Sequence, residues 1–153
     1  MPELHAARRE RFAAHLAEHE IPAALLTRLV NVQYLTGLSS SNAAVLVTAD
    51  GTATLATDGR YATAAATVAP DVELVVIRGV AVELAKRAAE RGFGRLAVEE
   101  HDVTMELSAT IRSELDDASL ALELVRLGRA VEDLRAVKDE SEIDSLRSAC
   151  AIS

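Results

Sequence analysis

The sequence predicts an α/β fold, a mixed β-sheet flanked by helices. Three observations carry this expectation. Segments with helical spacing alternate with short runs rich in Ala, Val and Leu along most of the chain, the order expected when helices cover the faces of one sheet. Two of those runs, Ala43 to Val47 and Ala53 to Thr57, are separated by Ala49-Asp50-Gly51. Gly takes the positive φ of a tight turn, so this pair reads as a hairpin and the sheet contains an antiparallel pairing. Finally, 153 residues that are 50% hydrophobic, with 7 Gly and 3 Pro, suffice for one self-sufficient core and exclude a disordered tail, a collagen-like repeat and a disulfide scaffold.

The elements follow in chain order. Glu3 to Glu20 reads as a helix, with Leu4, Phe12 and Leu16 at multiples of four in a segment rich in Ala, Arg and Glu; Pro22 ends it. Ala23 to Leu26 reads as a short buried strand, and Asn31 to Gly37 as irregular. After the hairpin, Gly59 to Val68 is Ala-rich and helical, closed by Pro70. Val72 to Ile77 has four β-branched residues and reads as a strand. Val80 to Arg91 is a helix with Val80, Leu84 and Ala88 on one face and a Glu83–Arg87 pair at i,i+4; Gly92 stops it. Arg95 to Val98 is a strand, Leu107, Ile111 and Leu115 mark a helix, and Leu120, Leu122 and Leu124 mark a last strand. Asp139-Glu140-Ser141-Glu142 has the spelling of a capping box, ahead of an apolar stripe of Ile143, Leu146 and Cys150. This helix reaches Ser153 with no Gly, Pro or basic last turn, so the chain is expected to be cut there rather than finished. A natural helix end that frays is the alternative.

Charge and composition narrow the function. The formal charge is −8, from 24 acidic and 16 basic side chains, which disfavours a polyphosphate partner. Phe12, Tyr34, Tyr61 and Phe93 are scattered and form no stacking platform for single strands. No nucleic-acid partner is expected. Cys150 is the lone cysteine and suits a reducing cytosol. MPELHAARRERF carries charge throughout and offers no secretory signal. Runs such as Ala43 to Val47 are far too short to span a bilayer. The expectation is a cytoplasmic domain with no membrane partner.

Several spellings carry potential chemistry. His15-Leu16-Ala17-Glu18-His19 matches H-x-x-E-H, which places two imidazoles one helical turn apart with a carboxylate between them. No third ligand offers itself, and such matches are common in helices of this composition. Glu99-Glu100-His101-Asp102 gathers oxygen and nitrogen ligands at a strand end, where α/β sheets place ligands. The structural alternative, favoured here, is that Asp102 or Thr104 caps the next helix. Gly92-Phe93-Gly94-Arg95-Leu96-Ala97 fits G-x-G-x-x-A, but it enters a strand instead of leaving one and is rejected as a dinucleotide loop. Cys150, on the apolar stripe of the last helix, reads as a packing residue. Thr57-Asp58-Gly59-Arg60-Tyr61 leaves a strand and opens a helix. Asp58 is expected to cap that helix, and Arg60 and Tyr61 to project from its first turn. Ser39-Ser40-Ser41-Asn42 is a small, hydrogen-bonding loop tip of the kind that carries recognition.

Asn31-Val32-Gln33-Tyr34-Leu35-Thr36-Gly37, the Asp50-Gly51 hairpin and Thr57-Asp58-Gly59-Arg60-Tyr61 occur in one order and spacing. Together they resemble the N-terminal domain of the creatinase/prolidase family of Xaa-Pro aminopeptidases and dipeptidases. Val131-Glu132-Asp133-Leu134-Arg135-Ala136-Val137-Lys138, followed by Glu142-Ile143, resembles that family's junction into its catalytic domain. The resemblance implies a ribonuclease-H-like mixed sheet. It places residues 1–135 in the N-terminal domain and 136–153 at the start of the linker and helix leading into a catalytic domain. The family's two manganese-type divalent ions are held by two Asp, one His and two Glu of that second domain, so no catalytic or metal-binding residue transfers to this chain. Ser39, Ser40, Ser41 and Asn42 correspond to the segment that faces the active site of a partner subunit. Asn31, Tyr34, Gly37, Asp58, Arg60 and Tyr61 are motif residues with structural roles.

The implied function is a non-catalytic domain of a metal-dependent Xaa-Pro peptidase that supports homodimerisation and shapes access for proline-containing peptides. One alternative is a stand-alone binding or dimerisation module. Another is a ribonuclease-H-like nuclease using Asp50, Asp58 and Glu99, against which the net charge argues.

Overall fold

The computed structural model describes residues 2–152. One six-stranded sheet runs through the molecule in the order β4-β3-β2-β1-β5-β6. Its strands are β1 (Ala23–Leu26), β2 (Ala43–Thr48), β3 (Ala53–Thr57), β4 (Glu73–Val76), β5 (Arg95–Val98) and β6 (Glu123–Arg126). β1, β2 and β3 pair antiparallel, whereas β4 joins β3, and β5 joins β1 and β6, in parallel. The sheet is therefore mixed, as the alternation of elements and the hairpin predict.

Helices cover both faces. α1 (Pro2–Glu18), α2 (Leu29–Thr36), α3 (Ala62–Val68) and α6 (Ala130–Ala136) lie on one side, and α4 (Val80–Glu90) and α5 (Met105–Asp117) on the other. Alternate strand residues divide between the two cores. Ala24 and Leu26 of β1 join Phe12, Leu16, Leu35 and Val131, while Ala23 and Leu25 join Leu84, Ala88, Ile111 and Leu115. Every residue of β1 and β2 is buried. Strands covered on both faces read as continuous apolar runs, which is why these two were recognisable.

The differences from expectation have local causes. α1 stops at Glu18, because Glu20 takes a left-handed φ of 55° ahead of Pro22. The segment at Gly59 is a turn, and α3 starts only at Ala62, because Asp58 accepts the Arg60 amide at 3.0 Å and curls the chain first. Leu120 and Leu122 precede β6 as partly buried packing residues. The chain straightens only at Glu123, opposite Arg95.

The largest difference is α2, expected to be irregular. Val30, Val32 and Thr36 lower its intrinsic propensity, and Arg28 at its N-cap offers no side-chain cap. The stabilising carboxylate comes instead from Glu99, far along the sequence, which accepts the Thr27 and Arg28 amides at 2.8 Å each. That places an acidic group at the helix N-terminus. Gly37 closes the helix with φ 80°, its amide donating to the Gln33 carbonyl at 2.7 Å. A Cβ there would lie 2.9 Å from His5 Nε2. Gly37→Ala therefore combines a clash with left-handed strain, and is expected to cost about 1–2 kcal/mol, read as a lower midpoint in urea. An unchanged midpoint would refute the close approach.

α7 (Glu140–Ile152) has no buried residue. Its capping box is formed as predicted: the Glu142 amide donates to Asp139 Oδ1, and the Asp139 amide to Glu142 Oε2, both at 3.0 Å. Cys150, expected to pack, is exposed. Among the described residues its ion pairs with the rest of the domain lie around its first turn, and Ile143 and Leu146 of its apolar stripe stay exposed.

Candidate functional site

The polar motif residues collect along one edge of the sheet. β1, β3, β4, β5 and β6 end there, and the antiparallel β2 begins there. Strand carboxyl ends are where α/β sheets expose recognition loops. Two hydrogen-bonded groups form on this edge.

The first joins the loop before β2 to the turn after β3. Asn42 Nδ2 donates to Asp58 Oδ2 and to the Arg78 carbonyl, both at 3.1 Å, while Thr57 Oγ1 donates to the Asn42 carbonyl at 2.7 Å. Ser41 Oγ and the Tyr61 hydroxyl share a 2.9 Å bond. Arg60 grips Asp58 in bidentate fashion, Nε to Oδ1 at 2.9 Å and Nη2 to Oδ2 at 2.8 Å. That fork holds the Asp58 carboxyl well below the ordinary carboxylate range, against the opposing effect of burial. Asp58 was expected to cap α3. Instead its oxygens are taken by Arg60 and Asn42, and Tyr61 occupies the N-cap position without a side-chain bond. The Arg60 guanidinium lies over the Tyr61 ring at 5.3 Å. Ser39 is exposed, and Ser40 Oγ is buried without a protein partner. Beside this loop runs a groove of about 640 Å³ lined by Leu29, Val30, Asn42, Arg78, Val80 and Val82. Ser39 to Asn42 is thus a loop tip whose Ser41 and Asn42 ends are tied to the Asp58–Tyr61 turn.

The second group centres on Asn31. Its Nδ2 donates to Glu99 Oε1 at 2.5 Å and to Glu132 Oε1 at 3.1 Å, and its Oδ1 accepts from Arg135 Nη1 at 2.9 Å. Glu132 Oε1 also accepts from Arg28 Nη1 at 2.8 Å and His101 Nε2 at 2.9 Å. Glu99 is fully buried, and burial pushes its pKa up; the Arg28 amide, Asn31 and the Thr27 amide pull the other way, and the Glu132 charge adds to the rise. For Glu132, burial opposes ionisation, but Asn31, its own amide, His101 and Arg28 together hold it down at about 2.

Glu99, His101 and Glu132 form the single group of three metal-ligating side chains found close together among the described residues. The group does not fit a metal ion. Both Glu99 oxygens and Glu132 Oε1 already accept hydrogen bonds, and a cation would have to enter beside the Arg28 guanidinium. Asp102 takes the Thr27 hydroxyl at 2.6 Å, and Thr104 caps α5 through the Leu107 amide at 3.0 Å, the structural role expected for one of these two. Glu132 was not singled out as a site residue from the sequence. Its meeting with Glu99 depends on packing between distant segments and leaves no local spelling.

The remaining candidates are dispersed. The His15 and His19 rings lie 4.1 Å apart, tilted by 30°, and His19 Nδ1 donates to the His15 carbonyl at 2.9 Å, which ties that ring to its own helix. Asp50 sits in the hairpin at the opposite edge of the sheet from Asp58 and Glu99, so the three carboxylates of the nuclease alternative do not converge. No helix among the described residues is long and apolar enough to cross a membrane.

Tyr34 of α2 and Gly37, which closes that helix, face α1. The Tyr34 carbonyl accepts from His5 Nδ1 at 2.9 Å, and Gly37 passes beneath the His5 ring.

Comparison with known proteins agrees with this architecture. The N-terminal domain of the cytoplasmic peptidase PepQ from Mycobacterium tuberculosis H37Rv superposes with a TM-score of 0.79 at 45% identity, over 84% of this chain and 98% of that one. An Xaa-Pro dipeptidase from Bacillus anthracis superposes with a TM-score of 0.77 at 26% identity, over 91% of this chain and 38% of that one. The uncharacterized peptidase YqhT of Bacillus subtilis (strain 168) is 30% identical over 133 residues, 86% of this chain; the chain spans 36% of the length of that relative. The Creatinase/Prolidase N-terminal domain matches residues 8–137. A family match over most of the chain, together with the shared mixed sheet, establishes that the chain belongs to the creatinase/prolidase N-terminal domain family.

Proposed function

We propose that this chain is the non-catalytic N-terminal domain of a metal-dependent Xaa-Pro peptidase, with residues 1–135 forming the domain and 136–153 leading into a catalytic domain. The observation that carries this reading is the likeness to a peptidase's N-terminal domain at 45% identity over nearly all of that domain. The parent hydrolyses the bond before proline in proline-containing peptides. Its catalytic domain would hold a pair of manganese-type divalent ions, which would supply Lewis-acid activation of water. This domain supports a homodimer, and its Ser39–Asn42 loop limits which peptides enter the neighbouring active site. The hydrogen bonds that tie Ser41 and Asn42 to the Asp58–Tyr61 turn support that role, since a steric gate has to hold its shape. The cytoplasm is its compartment, in keeping with the lone exposed thiol.

The test is an assay of the 153-residue chain and of the longer gene product on Xaa-Pro dipeptides and Xaa-Pro-headed peptides, with and without Mn²⁺. The chain alone is expected to hydrolyse neither, and the longer product to hydrolyse at least one when loaded with metal. Metal-stimulated cleavage by the chain alone, or none by a longer product that carries a second domain, would overturn the reading.

A further inference from the structure

Arg8 of α1 is a charged side chain that is only 7% exposed, and its partners lie where the chain leaves the domain. Nε and Nη2 donate to Asp139 Oδ2 at 3.2 and 2.5 Å. Nη1 donates to the Tyr34 carbonyl at 3.3 Å, and the guanidinium lies over the Tyr34 ring at 4.1 Å. Glu142 Oε2 is 3.5 Å from Nη2. Asp139 is also the residue that caps α7: its Oδ1 accepts from the Glu142 amide at 3.0 Å and from Ser141 Oγ at 2.6 Å. One carboxylate thus caps the start of a helix with one oxygen and grips the domain with the other.

The same surface of α2 holds the preceding helix. Asn31 binds Glu132 and Arg135, and the Tyr34 hydroxyl lies 3.5 Å from the Leu134 carbonyl. Beyond its first turn α7 contributes nothing to the core; Ile143 is 36% exposed and Leu146 53%. A buried, stacked and forked arginine thus fixes the start of a helix that has no fully buried residue among those described. A planar guanidinium suits that task, because it constrains direction as well as distance.

We propose that Arg8 is a positioning residue: through Asp139 it sets the direction in which α7 leaves the domain, and so places the catalytic domain relative to the Ser39–Asn42 loop. The second half of this inference rests on the function proposed above.

The experiment measures direction first. Spin labels on the natural Cys150 of α7 and on Met105→Cys, at the exposed start of α5, report one distance by pulsed electron resonance in the 153-residue chain. The parent sequence gives one narrow distribution. Arg8→Ala and Arg8→Lys broaden it about twofold or more, since a lysine cannot both stack and fork. Asp139→Ser keeps a good N-cap while releasing Arg8, so it broadens the distribution with helix content unchanged; it also serves if Arg8→Ala fails to fold. In the longer enzyme, Arg8→Lys and Asp139→Ser raise KM about fivefold, a modest coupling between sites, with kcat within about twofold. Narrow distributions in all foldable variants overturn the proposal, and so does broadening with KM unchanged. A parent enzyme without Xaa-Pro activity would instead overturn the functional reading and leave the distance result standing.

Discussion

Glu99→Ala is expected to destabilise the domain by about 4 kcal/mol, a fall of about 10 °C in the melting midpoint. The buried carboxylate accepts from two backbone amides and one side-chain amide. Its removal leaves the Thr27 and Arg28 amides and Asn31 Nδ2 short of an acceptor, and each orphan donor carries a desolvation cost of about 1–3 kcal/mol. The helix charge interaction at α2 goes with it. Glu99→Gln keeps the volume and one acceptor oxygen but turns an NH₂ toward donors, so about half the loss is expected. Urea unfolding of the three proteins checks this. A Glu99→Ala variant within about 0.5 kcal/mol of the parent would show that water replaces the carboxylate without cost.

Glu132 contributes to the acid limb of stability, alongside the depressed carboxyls of Asp58 and Asp139. Its folded pKa of about 2 lies below the ordinary 4.5, so the folded state binds its proton less readily than the unfolded chain does. The resulting stabilisation is complete above about pH 4.5 and is lost as pH falls toward 2. A shift of this size is worth about 2–3 kcal/mol after modest solvent screening. Glu99 has the opposite sign: its raised pKa makes its own contribution fall as pH rises through and above the ordinary glutamate range. Glu132→Gln should therefore lie about 2–3 kcal/mol below the parent at pH 7 and converge with it only as pH falls to about 2 and below. Denaturant titrations at a series of pH values give the gap directly. A gap independent of pH would mean that Glu132 acts through shape and not through charge.

How much of this was legible depended on where the signal lay. The buried strands β1 and β2 announced themselves as apolar runs, and the hairpin through Asp50-Gly51. The α7 capping box spelled itself in four residues, Asp139 to Glu142. α2 was not legible, because the group that stabilises its start, Glu99, lies about seventy residues away and closes no local pattern. Within the site, the pairing of the Ser39–Asn42 loop with Asp58–Tyr61 was not read from the sequence, although the hairpin register that puts the start of β2 beside the end of β3 accounts for it. The role of Asp58 was misread, because an Asp before a helix looks the same whether it caps that helix or binds an arginine two residues on. Glu132 and Arg8 were invisible as interaction partners for the same reason as Glu99: their counterparts are contributed by the tertiary fold.

The strand order also has a consequence in time. β1 through β4 lie within the first half of the chain and pair among themselves. The other edge of β1 stays open until β5 arrives, Ala24 meeting Ala97. Pairings that distant are slow to close, because loop entropy must be overcome before any contact forms. The Glu99 carboxylate enters with β5, at the strand's end. On a ribosome, the hairpin sheet can assemble while the Thr27 and Arg28 amides are still hydrated, and one event then zips β5 onto β1 and delivers their acceptor. The order of synthesis is thus also the order of burial, and α2 becomes a lasting helix only when the second half of the protein reaches it.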